Sequence, residues 1–111
     1  MRKDILQSKT LKIKSACYSI YITAVFNETK ITEVFITNGK VGSCQRSFIE
    51  GIGRLISYSL QNGGNIEEIC KCLSDIRCPD LMTYNGVRIT SCVDAVAKGL
   101  KFLNSKKEIF K

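Results

Sequence analysis

The sequence predicts an α+β fold in which about three helices pack on one face of a small antiparallel sheet. Three observations lead there. Apolar and polar positions alternate in the first third of the chain, apolar positions recur at helical spacing in the rest, and no segment repeats another. Strands that precede helices, rather than alternating with them, favour an antiparallel sheet with its helices segregated to one side.

The elements follow in order. Residues 1–10 are polar and are expected to be flexible. From Leu11 the chain is rich in β-branched and aromatic residues. Tyr18, Ile20, Ile22, Ala24 and Phe26 alternate with Ser19, Tyr21, Thr23 and Val25, which predicts one long strand preceded by a shorter one. Asn27-Glu28-Thr29-Lys30 reads as a turn, and Ile31 to Thr37 returns as a second strand, broken by Asn38-Gly39. Gly42-Ser43-Cys44 leads into a long helix with a wide predicted stripe of Phe48, Ile49, Ile52, Leu55, Ile56 and Leu60. Asn62-Gly63-Gly64 closes it in the manner of a C-cap. Asn65 with Glu68 three residues on opens a short helix to about Leu73. Ser74 to Arg88 reads as irregular, with a turn at Tyr84-Asn85-Gly86, and Val87 to Thr90 as a brief strand. In the last helix Ser91 and Asp94 form a capping pair, Asp94 reaching back to the Ser91 N–H, and Val93, Val96, Ala97, Leu100 and Leu103 are the buried stripe. The expected organisation is a flexible segment 1–10, one domain over 11–104, and a basic tail 105–111.

A chain of 111 residues with 44% apolar residues and one proline is a single globular domain. It has no histidine, which removes Ser-His-Asp and Cys-His catalysis and every mixed Cys/His zinc finger. Seventeen basic against ten acidic residues leave a net charge of +7, a balance that suits anionic partners or simply solvated lysines. Many of the lysines sit near the two ends, as in basic tails. The start MRKDILQSKTLKIK carries no apolar core of signal-peptide length, and no segment is apolar enough to cross a membrane. The expectation is a cytoplasmic protein with reduced thiols and no membrane partner.

Six cysteines carry the chemical interest. Cys70 and Cys72 lie in one helix two residues apart, so they point to different faces and read as packing residues. Cys17, Cys44, Cys78 and Cys92 sit on a strand, at a helix start, beside Pro79 and at a second helix start. Four thiolates make a closed tetrahedral zinc site, although buried free cysteines are common. The first turn of a helix also favours negative charge at Cys92, the form in which cysteine binds a metal.

Thr90-Ser91-Cys92-Val93-Asp94 resembles the Thr-Ser-Cys-Pro-Asp signature of the TSCPD domain family, with valine in place of proline. "EVFITNGKVGSC", "GIGRLISYSL" and "IEEICKCLSDIRCP" are similar to the version of that domain found at the end of adenosylcobalamin-dependent ribonucleotide reductases. The resemblance runs from about Ala16 to Leu103. It implies four recurrent cysteines that fall on Cys17, Cys44, Cys78 and Cys92; for four thiolates zinc is the expected metal, with an iron–sulfur cluster as the alternative. The order of strands, cysteine-bearing turn, long helix and cysteine-headed last helix is more distantly similar to iron–sulfur scaffold proteins, but the histidine often found beside their last cysteine is missing here.

These features imply a binding module. The reductase label, ribonucleoside-diphosphate reductase, belongs to a radical chemistry that needs a large barrel and a cobalamin site, and 111 residues hold neither. Asn38, Gly39, Lys40, Gly42, Ser43 and Arg46 form a candidate phosphate cradle at a helix start, which also reads as an ordinary glycine-rich turn. Arg54 interrupts an apolar run, and either faces a ligand or lies along the helix edge. The expected partners are a nucleotide-like anion, a ribonucleotide reductase, or a second copy in a homo-oligomer. An iron–sulfur scaffold, a thiol redox protein and a nucleotide-sequestering protein are the alternatives.

Overall fold

A computed structural model describes residues 7–15, 19–28, 30–38, 44–78 and 82–105, with residues 44–46 described by their backbone. The element order is β1 (Gln7–Lys14), β2 (Ser19–Asn27), β3 (Lys30–Asn38), α1 (Cys44–Gln61), α2 (Ile66–Leu73), β4 (Met82–Tyr84), β5 (Val87–Ile89) and α3 (Cys92–Ser105). The fold is α+β, as the sequence predicts. β1, β2 and β3 form an antiparallel meander, and β4 and β5 a separate hairpin.

Register and alternation together build one apolar face. Leu11 pairs with Ile22 and Ile22 with Ile36, while Ile13 pairs with Ile20, and all of these side chains point the same way. On β2, Ile20, Ile22, Ala24 and Phe26 are buried, as the predicted alternation requires. Ile31 and Val34 on β3 are both buried although they are three positions apart, which strict alternation forbids. A bulge resolves this: Val25 pairs with Glu33 but Phe26 with Ile31, so Thr32 is the extra residue and the side-chain phase shifts by one. The opposite face carries Tyr21 and Phe35, both exposed.

β1 starts at Gln7, inside the stretch expected to be flexible, because Gln7 to Thr10 pair with Phe26 to Thr23 on the longer strand β2. β5 is the brief strand expected from Val87, and β4, which pairs with it, replaces part of the expected irregular stretch. Asn85 and Gly86 both have positive φ, 50° and 80°, the geometry of a two-residue hairpin turn.

α1 buries a narrower stripe than its apolar pattern predicts. Ile49, Ile56 and Leu60 face the core, whereas Phe48 and Leu55 are exposed. The reason is its position along β3. Ser57 Oγ accepts from Val34 N–H at 2.9 Å and donates to Val34 C=O at 3.0 Å, so the helix closes that edge of the sheet. One turn earlier, a Cβ on Gly53 would sit 3.4 Å from the Ile36 nitrogen, so glycine permits this close approach. α1 ends as predicted, with Gly63 at φ 96° and Gly64 N–H donating to Ser59 C=O at 2.8 Å. Asn65 caps α2 by accepting from Glu68 N–H at 2.8 Å.

α3 covers β1 and β2 from the apolar side and packs against α2. Ala95, Val96, Ala97, Gly99, Leu100 and Leu103 are buried, and Val93 is half-buried. Gly99 allows α3 to sit close on the sheet, since a Cβ there would meet Ile22 Cδ1. No helix of the described residues is long and apolar enough to cross a membrane.

Candidate functional site

The signature segment at the head of α3 is laced to the strap that follows α2. Asp94 is fully buried. Its carboxylate accepts from Asp75 N–H at 2.7 Å, Thr90 N–H at 3.0 Å and Lys98 Nζ at 2.7 Å. Burial alone would raise the Asp94 carboxyl, but the Asp75 and Thr90 amides and the Lys98 ammonium outweigh it and hold the group below the ordinary carboxylate range. Lys98 is correspondingly raised: burial works against its charge, and the hydrogen bond and attraction from Asp94 overcome it.

The remaining signature residues have equally local tasks. Ser91 Oγ accepts from Asp94 N–H at 3.0 Å, the expected cap. The return bond differs from expectation, since Asp94 takes the Thr90 N–H instead of that of Ser91. Thr90 Oγ1 donates to Ile76 C=O at 3.0 Å, and Thr90 C=O accepts from Cys78 N–H at 2.9 Å. Thr90 and Asp94 therefore hold the 75–78 strap against the start of α3, and Ser91 caps that helix. Cys92 takes no part in that lacing.

Cys92 is half-buried and turns toward the end of β1, with its Sγ 3.2 Å from Ser15 Oγ. Cys78 is half-buried beside Thr90, two residues from Cys92. Cys17 lies outside the described residues, two positions after Ser15. Cys44 opens α1, and its side chain is not among those described. The antiparallel order fixes which end this is. Lys14 pairs with Ser19 and Ile20 with Asn38, so the β1–β2 connection and the β3–α1 connection leave the sheet at the same end. Among the described residues no three Cys, Asp or Glu side chains converge. Two of the four candidate thiols belong to that description, both free of disulfides and both held at this end.

The C-x-C pair divides. Cys70 is buried, with its Sγ 3.5 Å from Ala97 C=O, and burial pushes its thiol up to about 11, with Glu67 adding to the rise and Lys101 opposing it. It is a neutral packing residue near pH 7. Cys72 is exposed, so the expectation of packing fails there. The two do point to different faces, as their spacing predicts.

Of the candidate phosphate cradle, Asn38 ends β3 in register with Ile20. Gly39, Lys40, Gly42 and Ser43 lie outside the described residues, and Arg46 stands in the first turns of α1 without a described side chain. Arg54 is exposed and donates to Glu50 at 2.8 Å. It borders a groove of about 510 Å³ between α1 and β3 that also carries Glu33. Lys98, bonded to Asp94, is a site residue that no motif in the sequence singles out. Its spacing of four from Asp94 on one helix is the signal that could have found it.

Comparison with known proteins gives one clear result. A family model described as the TSCPD domain matches residues 2–103. No curated protein and no solved structure matches the chain. Nothing in these comparisons supports the more distant likeness to iron–sulfur scaffold proteins. With nearly its whole length matched, the chain belongs to the TSCPD domain family.

Proposed function

We propose that this chain is a binding module whose working end is pinned by a metal ion, zinc by the chemistry of the ligands, held by Cys17, Cys44, Cys78 and Cys92. The observation that carries the reading is the placement of Cys92. Its thiol is left out of the lacing by Thr90 and Asp94 and of the Ser91 cap, and it points to Ser15 at the end of β1. A zinc ion on four thiolates supplies a closed cross-link and no open position for catalysis. The chain's own residues set it up: Asp94 and Thr90 fix the strap that bears Cys78, and the first turn of α3 presents Cys92.

The module's ligand in this reading is a nucleotide-like anion, alone or as part of a ribonucleotide reductase. It is met by the glycine-bearing 39–43 connection and by Arg46, at the same end as the cysteines. The net charge of +7 supports an anionic ligand. Thermal-shift measurements against a panel of nucleotides test this. A ligand present at 100 times its Kd stabilises the folded state by about 2.7 kcal/mol. Arg46→Ala should abolish that rise while leaving the unliganded melting temperature unchanged. A nucleotide that stabilises both chains equally would place the anion site elsewhere.

A further inference from the structure

The two edges of the three-stranded sheet are treated differently. α1 closes β3 through Ser57 and Gly53. β1 is the other edge, and among the described residues no strand pairs with its outer side. Such an edge presents unpaired N–H and C=O groups to any extended chain that can approach. Beside it runs a groove of about 490 Å³ between β1, α3 and the β4–β5 hairpin, with Leu11, Ile13, Tyr84, Val87 and Phe102 supplying apolar surface. Val87 and Phe102 are 42% and 50% exposed. Three lysines, Lys12, Lys98 and Lys101, also line the groove, and among the described residues no acidic one does. Lys98 is committed to Asp94, but Lys12 and Lys101 are exposed at the surface.

We infer that this edge and groove take an extended acidic segment of a partner protein as an added strand. Its backbone pairs with β1, alternate apolar side chains enter the groove over Val87 and Phe102, and its carboxylates meet Lys12 and Lys101. Strand addition obtains affinity from main-chain hydrogen bonds and specificity from pockets for alternate side chains, and this surface offers both. A second copy of the chain fits poorly, because pairing β1 with itself would oppose lysine-rich strands. The inference does not rest on the cysteines, none of which is among the groove's described lining residues.

Fluorescence anisotropy with three labelled probes tests it: an octapeptide alternating glutamate with valine, its lysine-for-glutamate counterpart, and a short thymidine oligonucleotide. The acidic peptide should bind, and amide exchange of Gln7–Lys14 should slow when it does. Lys101→Glu and Phe102→Asp should each weaken it at least ten-fold with melting temperatures close to that of the unaltered chain. Both positions are exposed, and the two variants fail to fold for different reasons if at all, so agreement between them is informative. The inference is overturned if the acidic peptide does not bind, if the basic peptide binds as well, or if either folded variant retains full affinity. Tighter binding of the oligonucleotide through the same residues would assign the groove to nucleic acid instead. Binding seen only in a chain ending at Ser105 would assign it to the chain's own last residues.

Discussion

Asp94 shows how much of the site's order rests on one side chain. Replacing it with alanine leaves the Asp75 and Thr90 amides without their acceptor and Lys98 half-buried without its closest partner. Breaking a buried pair in this way costs about 3–5 kcal/mol, so a urea melt of Asp94→Ala should show a loss of that order. The same pair predicts the pH dependence. Asp94 lies below its ordinary value of about 3.9, so its contribution is complete above about pH 4 and lost as pH falls further. Lys98 lies above its ordinary value of about 10.4, so its contribution is complete below that pH and lost as pH rises beyond it. Melting temperature measured across pH should therefore fall at both extremes, and Asp94→Ala should flatten both flanks. The Ser91–Asp94 cap was legible in the sequence because it is local. The partner amide at Asp75 was not, since nothing in a 19-residue separation announces that a strap will return beneath α3.

Between elements, the seam of α1 and β3 depends on Ser57. Ser57→Ala removes both the acceptor for Val34 N–H and the donor to Val34 C=O in a partly buried position. The expected loss is about 1–3 kcal/mol, read from chemical denaturation, whereas an unchanged midpoint would mean that water replaces the hydroxyl. Periodicity located α1 to its final turn but placed Phe48 and Leu55 in the core. A helix lying along a sheet edge has a narrower contact face than one lying across a sheet, and the pattern of apolar residues does not distinguish the two. β4 is not legible in the sequence for a related reason. A strand of three residues gives no alternation to read, and only the Asn85-Gly86 pair marks its hairpin.

For the whole molecule, the order of elements predicts the fold class, and the candidate site rests on the family resemblance. The meander brings the β1–β2 and β3–α1 connections to one end, and the 75–94 lacing adds Cys78 and Cys92 to it. Family resemblance identified the four cysteines, and the structure supplies the reason Cys92 differs from its neighbours in the signature. Substitution should separate the two kinds of cysteine. Cys70→Ala removes a buried sulfur and should cost about 1–2 kcal/mol without touching metal content. Cys92→Ser keeps a hydroxyl within reach of Ser15 yet removes the proposed thiolate ligand, so its cost should appear as lost metal and a lower melting temperature.

Elemental analysis of the chain, purified under reducing conditions without chelator, tests the metal-pinned module most directly. The account predicts about one zinc per chain, retained by Cys70→Ala and lost by Cys92→Ser. A metal-free, folded chain with all six cysteines open to titration on unfolding, and an unchanged melting temperature in Cys92→Ser, would contradict it.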